Sequence, residues 1–120
     1  MSRNSHATNH YLIELIKNLK KTSLEHQVKI WKAIATELEK PARIRRVVNL
    51  YHINHICKEN DVIVVPGKVL GIGDINKKLT VSAFSFSDNA REKINKNGKT
   101  VSIEELLKTN PKGAHVRIVG

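Results

Sequence analysis

The 120-residue chain carries 21 Lys and Arg against 11 Asp and Glu, a formal charge of +10, and is 40% hydrophobic, which suits a globular domain and excludes the disordered class. One cysteine, Cys57, excludes an internal disulfide, no apolar run approaches the ~20 residues of a bilayer span, and the polar start Met1-Ser2-Arg3-Asn4 is unlike a signal peptide, so a soluble cytoplasmic protein is expected. The surplus positive charge repels itself unless a polyanion neutralises it, which favours nucleic acid over a membrane as the partner.

Residues 1–8 are polar, with Arg3 as their one fixed charge, and read as a flexible basic arm that orders on a partner. A first helix is expected with Asn9 as N-cap and Leu12, Leu15, Ile16 and Leu19 on one face. Lys17, Lys20 and Lys21 fall towards its C-terminal end, where positive charge meets the negative end of the macrodipole. Ser23 is expected to cap a second helix whose buried stripe is Leu24, Val28, Trp31, Ile34, Ala35 and Leu38. Trp31 is its core anchor and Pro41 its stop. Arg43-Ile44-Arg45-Arg46 is the densest positive stretch. Guanidinium forks match phosphate oxygens in pairs, so arginine here points to nucleic acid more strongly than lysine would. Tyr51 to Asn60 is expected as a short helix with Ile53 and Ile56 inward. His52, His55 and Cys57 lack the second ligand pair a zinc site wants, so exposed histidines, a buried thiol and no metal or other cofactor are expected.

The continuous apolar run Asp61–Val65 predicts a strand covered on both faces. Pro66-Gly67 is expected to turn the chain, and Asn76-Lys77-Lys78 to form a basic turn. Leu79, Val81 and Ala83 alternate with Thr80 and Ser82 as a half-buried strand. A helix follows, capped by Ser85 or Ser87, with Phe86, Ala90 and Ile94 facing one way and Gly98 as a left-handed residue past its end. Thr100-Val101 is extended, and Ser102 with Glu105 forms a capping box over Leu106-Leu107. Asn110-Pro111 breaks that helix, and Val116–Val119 closes the chain as a strand. Strands alternating with helices, with no linker between them, predict one mixed α/β domain.

Gly71-Ile72-Gly73 is followed by Asn76 where a dinucleotide loop needs glycine, and Gly67-Lys68 lacks the P-loop spacing. These glycines are expected to allow a positive φ or a close backbone approach. No Ser-His-Asp or Cys-His motif is present and the few acidic residues mostly start helices, so neither catalysis nor a small-molecule substrate is expected. Aromatic residues make up only 4%, too few for a stacking single-strand binder, so folded RNA recognised through phosphate and shape is the expected partner.

Val65-Pro66-Gly67-Lys68-Val69-Leu70-Gly71, Leu79-Thr80-Val81-Ser82-Ala83 and Phe86-Ser87-x-x-Ala90-x-x-Lys93-Ile94 together resemble the large-subunit ribosomal protein family called eighteen-e. That family is shared by archaea and eukaryotes and is related to bacterial large-subunit protein fifteen. Ile30-Trp31-Lys32-x-Ile34-Ala35-x-x-Leu38, Lys40-Pro41-Ala42-Arg43, Val48-Asn49-Leu50-x-x-Ile53 and Asn110-Pro111-Lys112-Gly113 extend the resemblance over nearly the whole chain. Without long terminal extensions, the chain looks like the archaeal form. The resemblance implies a compact α/β fold, an irregular superhelix of strand-strand-helix turns preceded by N-terminal helices. It also implies a non-enzymatic place on large-subunit ribosomal RNA beside other ribosomal proteins, in the cytoplasmic ribosome. The alternative is an RNA-binding or ribonucleoprotein-assembly module outside the ribosome. The RNA-facing residues it suggests are Arg43, Arg45, Arg46, Asn49, Lys68, Lys77, Lys78 and Lys112, joined by Arg3 of the arm and Arg117 of the last strand. The chain departs from the family pattern at His10, where proline is usual, and at Tyr51, His52 and His55, which stand near positions often held by serine and arginine.

Overall fold

The apolar run after Asp61 becomes the central strand of a five-stranded sheet in a computed structural model, which describes residues 10–120. The strands are β1 (Arg46–Asn49), β2 (Val62–Leu70), β3 (Thr80–Phe86), β4 (Lys99–Ser102) and β5 (Val116–Ile118). Every pairing is parallel. The sheet runs β1-β2-β3-β4, and β5 also pairs with β2. β5 takes Val62 to Val64 and β1 takes Gly67 to Leu70, so these two strands share one edge of β2, opposite β3.

The described residues also form α1 (His10–His26), α2 (Ile30–Leu38), α3 (Leu50–Ile56), α4 (Asp88–Asn97), α5 (Ile103–Thr109) and a 3-10 turn at Ala42–Ile44. Alternate side chains of β2 enter two separate cores, as the period of a strand requires. Ile63, Val65 and Val69 pack with Leu50 and Ile53 of α3 and Ala90 and Ile94 of α4. Val64 packs with Leu15 and Leu19 of α1, Trp31 and Ile34 of α2 and Leu106 of α5. Helices on both faces explain why the strand reads as an unbroken apolar run. The expected mixed α/β class is borne out, with β2, β3 and α4 forming one strand-strand-helix turn.

Several boundaries differ from expectation. Ser23 does not cap a second helix, because the stripe Leu12, Leu15, Leu19 continues onto it and α1 runs through to His26. Its hydroxyl instead donates to the Val28 carbonyl. The break falls at Gln27, with φ of 54°, and leaves Leu24 on the outer face, 81% exposed. Asn9, the expected N-cap, and residues 1–8 lie outside the described residues. The helix expected to reach Asn60 ends at Ile56, which is exposed, while Ile53 is buried.

Pro66-Gly67 does not turn the chain. Proline cannot donate a ladder hydrogen bond, so a central strand admits it only at an irregularity. β2 has one here: three steps from Val65 to Lys68 match two from Ala83 to Ser85. Gly67 meets Arg46 of β1 so closely that a Cβ would lie 2.0 Å from the Arg46 carbonyl oxygen. Gly98 is not left-handed either, with φ of −127°. It is confined by a close approach, since a Cβ there would lie 1.9 Å from the Leu79 carbonyl oxygen. Gly73 does have positive φ, +99°, as a turn requires. The caps hold as expected in outline. Ser87 accepts from the Ala90 N–H, winning over Ser85, and Ser102 accepts from the Glu105 N–H.

Trp31 is fully buried, and its indole N–H donates to the Pro111 carbonyl at 2.7 Å. Asn110 closes the loop after α5 by bonding both the N–H and the carbonyl of Ala114. Gly113, at φ of +65°, leaves room for Ile30. The Asn110–Gly113 motif thus docks the chain's last segment on the start of α2.

Gly67→Ala and Gly98→Ala should each cost about 1–3 kcal/mol, the usual range for forcing atoms into a filled site. Urea unfolding would read this as a lower midpoint at unchanged slope. An unchanged midpoint would mean that close approach is not what requires glycine there.

Candidate nucleic-acid interface

Val47, Lys68 and Ser85 stand in one row across β1, β2 and β3. The next row holds Val48 and Val69, both buried in the core under α3 and α4. By strand alternation, Val47 and Lys68 therefore face the side of α1, α2 and α5. Those helices do not cover this end of the sheet, and Val47 is 59% exposed. The uncovered patch is a groove of about 210 Å³ lined chiefly by Arg45, Arg46, Val47, Lys68, Phe84 and Ser85.

Its arginines are held in place. The Arg45 Nε–H donates to the Lys40 carbonyl at 3.0 Å, and its guanidinium carbon lies 5.5 Å from the Phe84 ring centre. A cation over an aromatic face is attracted by the ring quadrupole. The Arg46 Nε–H donates to Glu37 Oε1 at 3.2 Å, and the Lys40 ammonium lies 3.1 Å from the other carboxylate oxygen. The Lys40 hydrogen bond, helped by Arg46 and opposed by burial, holds the Glu37 carboxyl below its ordinary range. Tyr11 stacks on Phe84 with ring centres 6.1 Å apart. Burial and then the Glu104 carboxylate push the Tyr11 hydroxyl pKa upward. Arg43 in the 3-10 turn and Lys68 on β2 are exposed. Neither pairs with a carboxylate among the described residues.

The groove gathers Arg45, Arg46 and Lys68, and Arg43 precedes it in the turn. Asn49 ends β1 half-buried, its Oδ1 accepting no hydrogen bond among the described residues. Lys77, half-buried, and Arg117, exposed, both reach to the end of α3. The Lys77 ammonium donates to the Asn54 and Cys57 carbonyls. Arg117 donates to the Ile56 carbonyl at 3.0 Å and lies 3.6 Å from Asp61. Cations suit a helix C-terminus, where carbonyls lack partners. Lys112 is exposed on the Asn110–Ala114 loop, at the opposite end of α2 from Glu37. Lys78 lines a separate groove with Lys99. Arg3 lies outside the described residues. The sequence reading missed Tyr11, Phe84 and Lys99; Phe84 follows an apolar alternation and gives no signal of standing at an open end.

His52 and His55 are exposed, and Cys57 is buried, with burial raising its thiol pKa. Among the described residues no three His, Cys, Asp or Glu converge on a metal position, and no helix is long and apolar enough to cross a membrane. Lys93, in the family-like stretch, donates to the Gly71 and Gly73 carbonyls at 3.0 and 2.8 Å and so fixes the loop after β2.

Fold and groove together define a small basic α/β module with Arg45, Arg46 and Lys68 at an uncovered sheet end. Residues 27–110 match the family model that describes ribosomal proteins 50S-L15 and 50S-L18e together with their counterpart in the 60S subunit. Large ribosomal subunit protein eL18 of Methanospirillum hungatei is 46% identical over 120 residues, covering 99% of each chain. Its namesake in Methanococcus maripaludis is 45% identical over 94% of this chain and 95% of its own. That of Haloarcula marismortui is 42% identical over 93% and 97%. The chain belongs to this ribosomal protein family.

The Glu37 carboxylate has a depressed pKa in the folded state, so its contribution to stability is present above the ordinary glutamate range and is lost as pH falls through the folded value. The wild type should therefore lose more stability than Glu37→Gln between neutral pH and pH ~3. Parallel acid-induced losses in urea titrations of the two would rule out this ionic hold on Lys40 and Arg46.

Proposed function

We propose that the chain is a structural, non-enzymatic constituent of the large ribosomal subunit in the cytoplasm, acting in translation as a single domain bound to large-subunit ribosomal RNA beside other ribosomal proteins. The observation that carries this reading is the open sheet end, where Arg45 and Lys68, with Arg43 on the turn leading to it, carry no carboxylate partner among the described residues. Its relatives' names support it, each being called a large ribosomal subunit protein. Phosphates that reach these groups release counterions, which makes binding favourable and salt-dependent. Arg46, shared with Glu37, and Asn49 at the end of β1 border the same patch, and Lys112 and Lys78 extend the contact elsewhere; Arg3 joins them from outside the described residues. Lys77 and Arg117 act mainly by holding α3.

The triple variant Arg43→Ala, Arg45→Ala, Lys68→Ala should bind large-subunit RNA more weakly, with the salt slope reduced by about one for each phosphate no longer neutralised. Its urea midpoint should move little, whereas Lys77→Ala should lower the midpoint. Filter binding across a salt series reads the first effect; an unchanged slope in the triple variant would remove the groove from the interface. Sedimentation of the endogenous protein away from large subunits would overturn the ribosomal assignment.

A further inference from the structure

Lys78 and Lys99 flank a second groove, of about 270 Å³, also lined by Asn60, Thr80 and Asn97. Its floor is cross-linked backbone. The Asn60 N–H donates to the Lys78 carbonyl at 2.7 Å, the Thr80 N–H to Asp61 at 3.0 Å, and the Lys99 N–H to Leu79 at 2.9 Å. Gly98 lets two of these segments meet at a distance no side chain would permit. The nearby Asp61 carboxylate accepts from the Lys58 N–H at 2.8 Å and lies 3.6 Å from Arg117, so it is engaged elsewhere. Neither Lys78 nor Lys99 pairs with a carboxylate among the described residues. The Asn97 amide donates weakly to the Ile75 carbonyl at 3.5 Å, which leaves two lysines and the Asn60 amide lining the groove as donors suited to anionic oxygens.

The position of this groove matters as much as its charge. Thr80, on its floor, opens β3, while Ser85, on the first groove, lies five residues on, roughly 17 Å along the strand. Asn97 ends α4, which packs on the opposite sheet face from α1, α2 and α5. The first groove lies on the side of those three helices. One RNA strand lying against the Arg45–Lys68 groove is therefore poorly placed to enter the other.

We infer that the chain binds RNA at two places, the Lys78–Lys99 groove taking the phosphate backbone of a segment distinct from the one held at Arg45 and Lys68. The protein thereby bridges two RNA segments. This rests on the RNA-binding reading above. When both segments belong to one folded RNA, the second contact forms at the high effective concentration set by the first.

The test uses the full chain and two short RNA duplexes carrying different fluorophores, mixed at low salt. Energy transfer between the duplexes is expected with the wild type. It should be lost with Lys78→Glu, Lys99→Glu, which still binds one duplex through the first groove. Lys78→Ala, Lys99→Ala should lower the salt slope by about 2, one per lysine. Undiminished transfer in the charge-reversed variant, or its absence in a wild type that binds a single duplex, overturns the bridging inference alone. A wild type that binds neither duplex nor large-subunit RNA overturns the RNA-binding reading itself, and the bridge with it.

Discussion

β2 has two edges and three partners. One edge is taken by β3 along nearly its whole length, so β1 and β5 must share the other, one after the other. This requires a strand long enough for both, and the nine residues from Val62 to Leu70 supply it only because the chain continues through Pro66-Gly67 instead of turning there. Proline is tolerated at the irregularity, and glycine lets β1 lie against it. The consequence reaches the surface: the same short stretch brings Arg46 beside Gly67 and sends Lys68 onto the row that no helix covers.

Much of this architecture was legible in the sequence because burial leaves a periodic trace. The buried members of the Leu12 and Trp31 stripes, the apolar run of β2, the alternation of β3 and the caps at Ser87 and Ser102 each report a local rule that tertiary packing reinforces. Three features were not legible, for physical reasons. Ser23 has the composition of a cap, yet it falls on the buried stripe of α1, and small size decides in favour of the helix interior. Pro66-Gly67 has the composition of a turn, yet the parallel partners on both sides keep it extended. Gly98 follows a helix as a left-handed cap would, yet its constraint is contact with Leu79, distant in sequence.

The candidate interface was legible as a sum of charge and less so as a place. Composition gives a net +10 but does not say which cations face outward. Lys77, Lys93 and Arg117 spend their donors on backbone carbonyls at the end of α3 and in the loop after β2. Nothing local distinguishes them from Lys68, Lys78 or Lys99. The difference arises only when the sheet decides which helix ends lie within reach of a long side chain. Arginine was the better guide because Arg43, Arg45 and Arg46 stay together on one short segment, whatever the rest of the fold does.

The indole of Trp31, the only tryptophan in the chain, donates across 80 residues of sequence to Pro111. It sits where the N-terminal helices meet the loop that leads into β5. Its emission is therefore a built-in optical sensor of that one seam. If the N-terminal helix pair can loosen while the sheet and α3–α4 layer stay intact, a red shift in fluorescence would precede the loss of far-ultraviolet circular dichroism. Coincident transitions would mean that the two layers melt as one cooperative unit.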